Sequence, residues 1–175
     1  MALTDDILAA LDDGPIADIA QQLGLEQAQV QAVVKAALPA VLGGMANNSA
    51  SDEGAASLAN ALGDHAQANP LGDLGSLLGG DLGNSILKHV LGGSTGDVAE
   101  AIGGTAGVDT ATVRKILAVL APIVMAFLAK RVTGGGTTRP DTGSLKDQLQ
   151  DAVKDAVSKS GAPDLGSILG SILGR

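Results

Sequence analysis

The chain repeats itself. Residues from Asp18 read D-I-A-Q-Q-L-G-L-E-Q-A-Q-V, and residues from Asp97 read D-V-A-E-A-I, then G-G-T-A, then G-V-D-T-A-T-V. With that four-residue insertion allowed, Gly24 aligns with Gly107, Leu25 with Val108, Glu26 with Asp109 and Ala28 with Ala111. The register then holds through Val30 and Val113, Val33 and Ile116, Val34 and Leu117, Pro39 and Pro122, Val41 and Val124, and Leu42 and Met125. A period this long, with matching residue types at matching positions, constrains the fold more than composition does. Two copies are too few for a solenoid, so a pseudo-symmetric pair of helical units is expected.

Each copy carries the same local physics. A short helix holding Asp-Ile-Ala or Asp-Val-Ala stops at a glycine, the residue that adopts positive φ without penalty. A longer apolar helix then starts behind an acidic residue, which complements the positive end of the helix dipole; Asp109 is the better cap of the two. Val30, Val33, Val34, Ala37, Leu38 and Val41 recur at three and four residues, as do Val113, Ile116, Leu117, Leu120 and Val124. Pro39 and Pro122 sit inside those runs, where a missing N–H and a clash with the preceding turn predict a kink or a break.

Between the copies the pattern predicts a Ser/Asp/Gly-rich link over 47–54, a helix near 55–67 with Leu58 and Leu62 on one face, and a helix around 84–91. The Gly-Leu stretch 70–80 reads as a loop or loose helix packed by its leucines, because glycine at every third position opposes helix while leucine needs burial. Residues 132–143 are a flexible linker by composition. Beyond it, Ser144 is a good N-cap, and Leu145, Leu149, Val153 and Val157 are spaced by four, giving an amphipathic helix. The closing residues from Asp164, D-L-G-S-I-L-G-S-I-L-G-R, echo the D-L-G-S-L-L-G that begins at Asp73. The expected organisation is therefore a helical domain over 1–131, the linker 132–143, and an amphipathic helix with a Gly-Leu-Ile tail over 144–175.

Composition now narrows function. Phe127 is the only aromatic residue, so stacking platforms for single-stranded nucleic acid are absent. There is no Cys, which removes disulfides and thiolate chemistry, and only His65 and His89 offer imidazole. Up to Ala129, four basic residues face fourteen acidic ones, a net of −10; from Lys130 onward seven basic residues meet five acidic ones, a net of +2. Such a body repels phosphate backbones and anionic lipid surfaces.

No motif restores a chemical function. The segment from Ile16 to Val34 has the spacing of a helix-turn-helix, but its second helix offers Glu26, Gln27, Gln29 and Gln31, with Lys35 the only nearby cation. Groove binding needs several cations to hold phosphates first. Neither histidine has a partner at i+3 or i+4 for a metal, the Gly-rich segments 92–97 and 133–138 lack Gly-Lys-Ser/Thr, and no Gly-x-Ser-x-Gly elbow is present. The pairs Asp5-Asp6, Asp12-Asp13 and Asp52-Glu53 could bind a hard cation weakly, but such pairs are more often solvated helix ends. No catalytic, cofactor-binding or metal residue is assigned.

Asp5 and Asp6 stand where a secretory leader carries Lys or Arg, so a cytoplasmic location is the expectation. The charge-free run from Ile116 to Ala129 would span ~21 Å against the ~30 Å of a bilayer core. It reads as a buried helix, although Arg114-Lys115 and Lys130-Arg131 flank it like interface anchors.

Four segments in order carry a resemblance: Ala20-Gln-Gln-Leu-Gly-Leu25 feeding Val30; Leu38-Pro-Ala-Val-Leu-Gly-Gly44 with Met-Ala-Asn-Asn48; Gly83-Asn-Ser-Ile-Leu-Lys-His89-Val-Leu-Gly-Gly93; and Gly107-Val-Asp109 leading to Leu120-Ala-Pro122-Ile-Val-Met125. Across about residues 2–131 the chain resembles the bacterial domain of unknown function 937, of the YidB-like type. That resemblance implies an all-helical fold and brings no enzymatic activity. The expected fold is thus an all-α bundle of two degenerate helix-turn-helix-like repeats with a flexibly linked amphipathic tail. The expected function is non-enzymatic interaction or self-association through the C-terminal segment, with no nucleic acid and no stable membrane span. The alternatives are a small-ligand or lipid carrier using an apolar cleft between the repeats lined by Met45, Met125 and Phe127, a DNA-binding helix-turn-helix disfavoured by charge, and an enzyme assembled from dispersed Asp, Ser and His89.

Overall fold

The computed structural model describes residues 3–12, 14–65, 69, 71–72, 74–132 and 142–160, which form helices and turns with no strand among them. In chain order these are α1 (Leu3–Asp12), α2 (Pro15–Leu23), α3 (Gln27–Asn48), α4 (Asp52–His65), α5 (Leu74–Gly79), α6 (Asp81–Leu91), α7 (Thr95–Ala106), α8 (Thr110–Val132) and α9 (Thr142–Ser160). A 3-10 turn at Gly92–Ser94 joins α6 to α7.

The two glycine stops fall where the repeat places them. Gly24 ends α2 at φ 67°, ψ 33°, and Gly107 ends α7 at φ 68°, ψ 32°, both left-handed. At the first stop the Gly24 and Leu25 N–H groups both donate to the Ala20 carbonyl; at the second, Gly107 and Val108 both donate to Gly103. The four extra residues of the second copy lengthen its short helix, which has 12 residues in α7 against 9 in α2. Ahead of α8, the Asp109 carboxylate accepts the Thr112 N–H at 2.8 Å and the Thr112 hydroxyl at 2.7 Å. Ahead of α3, Glu26 is capped from the other direction, its N–H donating to Gln29 Oε1 at 3.1 Å.

α3 and α8 form the centre. Every residue from 36 to 45 in α3 and from 116 to 126 in α8 is buried, so these helices are covered on all sides and need apolar residues all round. Neither breaks at its proline: α3 runs 22 residues through Pro39 and α8 runs 23 through Pro122. Packing of buried apolar faces supplies most helical stability in proteins, and here it outweighs a proline's cost of ~3 kcal/mol. At Pro122 the freed group is the Ala118 carbonyl, and Gly83 of α6 lies directly against it, so close that a Cβ there would collide with that oxygen.

Several element boundaries differ from the sequence reading: α6 begins at Asp81 rather than 84, and α9 begins at Thr142, so Ser144 lies inside its first turn and is not its N-cap. The link expected over 47–54 shrinks to 49–51, because α3 continues to Asn48 and Ser51 caps α4 by accepting the Gly54 N–H at 3.0 Å. The Gly-Leu stretch condenses into α5, with Leu74 and Leu77 buried against α8, α6 and α2. α8 extends well beyond its charge-free middle, so the length argument against a membrane span fails. By length and composition α3 and α8 could each cross a bilayer, although 72% of the most apolar 18-residue window of each is buried inside the fold.

α9 packs mainly on α3, with further contact to α4, α1 and α8. Its buried stripe is Leu145, Leu149, Ala152 and Ala156, while Val153 and Val157 are only half-buried. The strict four-residue spacing expected for this face drifts around a 3.6-residue helix, and the small alanines are what allow close approach. Buried residues from α1 to α9 make one continuous cluster. The linker residues 133–141 and the tail 161–175 lie outside the described residues.

Candidate functional site

Among the hollows of the surface, two bring polar and apolar side chains of several helices together. The first, of about 390 Å³, runs between α4 and α6, with polar Ser57, Asn60, Ser85 and His89 facing apolar Ile86 and Met125. His89 Nε2 and Ser57 Oγ are 3.4 Å apart, longer than a well-formed hydrogen bond from a hydroxyl. Among the described residues no carboxylate lines this groove to orient the imidazole as a nucleophile-activating base requires. The Ser57–His89 pair spans 32 residues and has no signal in the sequence; it arises because α4 and α6 are laid side by side.

The second groove, of about 400 Å³, lies where α1, the end of α8 and α9 meet, and is lined by Leu3, Arg131, Gln148, Asp151, Ala152 and Asp155. Arg131 donates to Asp6 at 3.3 Å and ties the end of α8 to α1. Lys146 of α9 reaches Asp52 of α4 at 3.4 Å. These pairs are solvent-exposed, so each contributes about 0–1 kcal/mol and serves to register helices.

The sequence-derived candidates do not converge. Among the described residues no group of three or more His, Cys, Asp or Glu is placed to hold a metal ion. Asp5-Asp6 and Asp52-Glu53 sit in the first turns of α1 and α4, where the helix dipole favours negative charge. Asp12 accepts a hydrogen bond from Gln31 Nε2 at 3.1 Å; Asp13 and the side chain of His65 lie outside the described residues. The three residues expected to share a cleft are separate: Met45 is fully buried, Met125 borders the α4/α6 groove, and Phe127 borders another surface hollow beside Leu3 and Lys130. α2 and α3 follow one another across Gly24, with Val30, Val33 and Val34 of the second helix buried and Gln31 engaged by Asp12. Lys35 is exposed.

Hydrogen bonds from the Thr112 side chain and backbone hold the Asp109 carboxyl below the usual carboxylate range, with a smaller pull from Lys115. This stabilises the start of α8.

The fold and its surface thus define an all-α protein built around two buried, proline-containing helices. The model of a bacterial protein family of unknown function, DUF937, matches residues 5–131, and the chain belongs to that family. That match takes in α1 through nearly all of α8; α9 lies beyond it yet completes the core. Neither the curated proteins nor the solved structures contain a match to this chain.

Proposed function

We propose that this protein is a non-enzymatic interaction module that self-associates through residues 161–175. The observation that carries the reading is the use already made of α9. Its apolar stripe is covered by its own chain, chiefly by α3, so the amphipathic helix is spent on the fold. Leu165, Ile168, Leu169, Ile172 and Leu173 follow it at intervals of three and four, a second apolar face written into the sequence. A face of five aliphatic side chains gains free energy by burial against a second copy of the chain. A cytoplasmic location accompanies this reading, supported by α3 and α8 being wrapped inside the fold.

Light scattering of the full chain and of a chain ending at Ser160 tests it. Association of the full chain, lost on truncation, is expected; equal monomer masses would remove the proposal. The cut belongs after Ser160, because ending the chain near Arg131 would strip α9 from α3 and confuse the result.

A second reading, a carrier of small apolar ligands, draws support from the α4/α6 groove, where Met125 and Ile86 meet four polar side chains. A thermal-shift screen with lipids and metabolites checks it, and a set in which nothing moves the transition counts against it.

A further inference from the structure

The tail has a counterpart inside the fold. Asp164-Leu165-Gly166-Ser167-Ile168-Leu169-Gly170 repeats Asp73-Leu74-Gly75-Ser76-Leu77-Leu78-Gly79 with one difference, Ile168 for Leu77. The earlier copy is α5 with the residue before it, and its seat is visible: Leu74 and Leu77 are 6% and 8% exposed against α8, α6 and α2, while Gly75 and Ser76 face outward. The side chains that would fill the same two positions from the tail are Leu165 and Ile168, of equal volume to those they replace.

α5 is also the shortest α-helix among the described residues. It has 6 residues, too few to hold a helix unaided, and Gly75 and Gly79 weaken it further. Two leucines at its buried face hold it, so its local opening lies at the low end of the stability range. A seat filled by a weak occupant, in a chain carrying a near-identical second occupant, is a competition between equivalents.

We propose that the seat of α5, on α8, α6 and α2, is the receptor for residues 164–170 of a second copy of this chain, which displace α5 and take its place. The inference rests on the self-association reading above and adds where the tail lands. The burial that Leu74 and Leu77 give up is taken over by Leu165 and Ile168 in the same seat.

A labelled peptide of residues 161–175, titrated by fluorescence anisotropy into the chain ending at Ser160, tests this. Because apparent affinity scales with the fraction of open seats, loosening α5 must strengthen binding. Leu74→Ala with Leu77→Ala should therefore tighten the peptide by about tenfold or more. A peptide with Leu165→Ser and Ile168→Ser should lose binding. In the unaltered chain, which needs no folding control, the native peptide should accelerate amide exchange across Leu74–Gly79. Peptide binding that leaves exchange at 74–79 unchanged, or that the leucine substitutions fail to strengthen, would place the tail elsewhere and overturn the inference while self-association stands. No peptide binding together with a monomeric full chain would end both.

Discussion

Pro122 has no N–H to offer the carbonyl of Ala118 one turn back, and Gly83 of α6 brings its backbone against that same oxygen. The missing hydrogen bond is thus turned to use, since a helix that cannot bond the group inward lets another helix approach it. Gly83→Ala should destabilise the protein by about 1–3 kcal/mol in urea unfolding, because the neighbour is backbone and cannot rotate away. Gly104→Ala is the control: that glycine is exposed in α7 with nothing within 4 Å of an added Cβ, and the change should be neutral or stabilising by up to about 1 kcal/mol. Asp109 makes the other residue-level prediction. Its folded pKa lies below the unfolded value of 3.8, so its contribution is fully present above that value and is lost as pH falls through the lowered folded pKa. Acid unfolding of Asp109→Asn should lack this component while keeping a cap. Both glycine stops and the Asp109 cap were readable in the sequence because they depend on a residue and its near neighbours. The Gly83–Ala118 approach was not, since 35 residues separate two partners that only the packing brings together.

At the scale of elements, periodicity located the helices and misjudged their extent. The charge-free run in α8 is its middle, and Thr110 through Lys115 and Lys130 through Val132 complete it, because charged side chains at helix ends reach solvent while the backbone continues. α9 shows the opposite error, in which spacing by four selected Val153 and Val157 where the packed face turns through Ala152 and Ala156. Leu145→Ala and Leu149→Ala should each cost about 2–5 kcal/mol by thermal or urea denaturation. Val153→Ala, half-buried, should cost clearly less. The reverse order would mean that α9 seats on α3 by its other face. That α9 docks on its own chain could not be read from an amphipathic pattern, which specifies a face to cover and leaves the cover unnamed.

For the molecule as a whole, one cluster of buried side chains joins α1 to α9, and the aliphatic residues of 161–175 follow it in the sequence as a further apolar face. The acidic body, at −10 up to Ala129, repels other copies of the chain, and in the self-association we propose the apolar contact of the tail overcomes that repulsion. Association should therefore strengthen with added salt, as like-charge repulsion is screened and apolar burial is retained. The single aromatic residue, Phe127, and the lack of Cys were legible at once; the juxtaposition of Ser57 with His89 was not, being a product of helix placement. Sedimentation equilibrium of the full chain beside its Ile168→Ser, Leu169→Ser variant tests the central claim most directly. The full chain should show a mass that rises with concentration above its 17.1 kDa monomer while the variant stays monomeric, and an identical concentration dependence for both would contradict it.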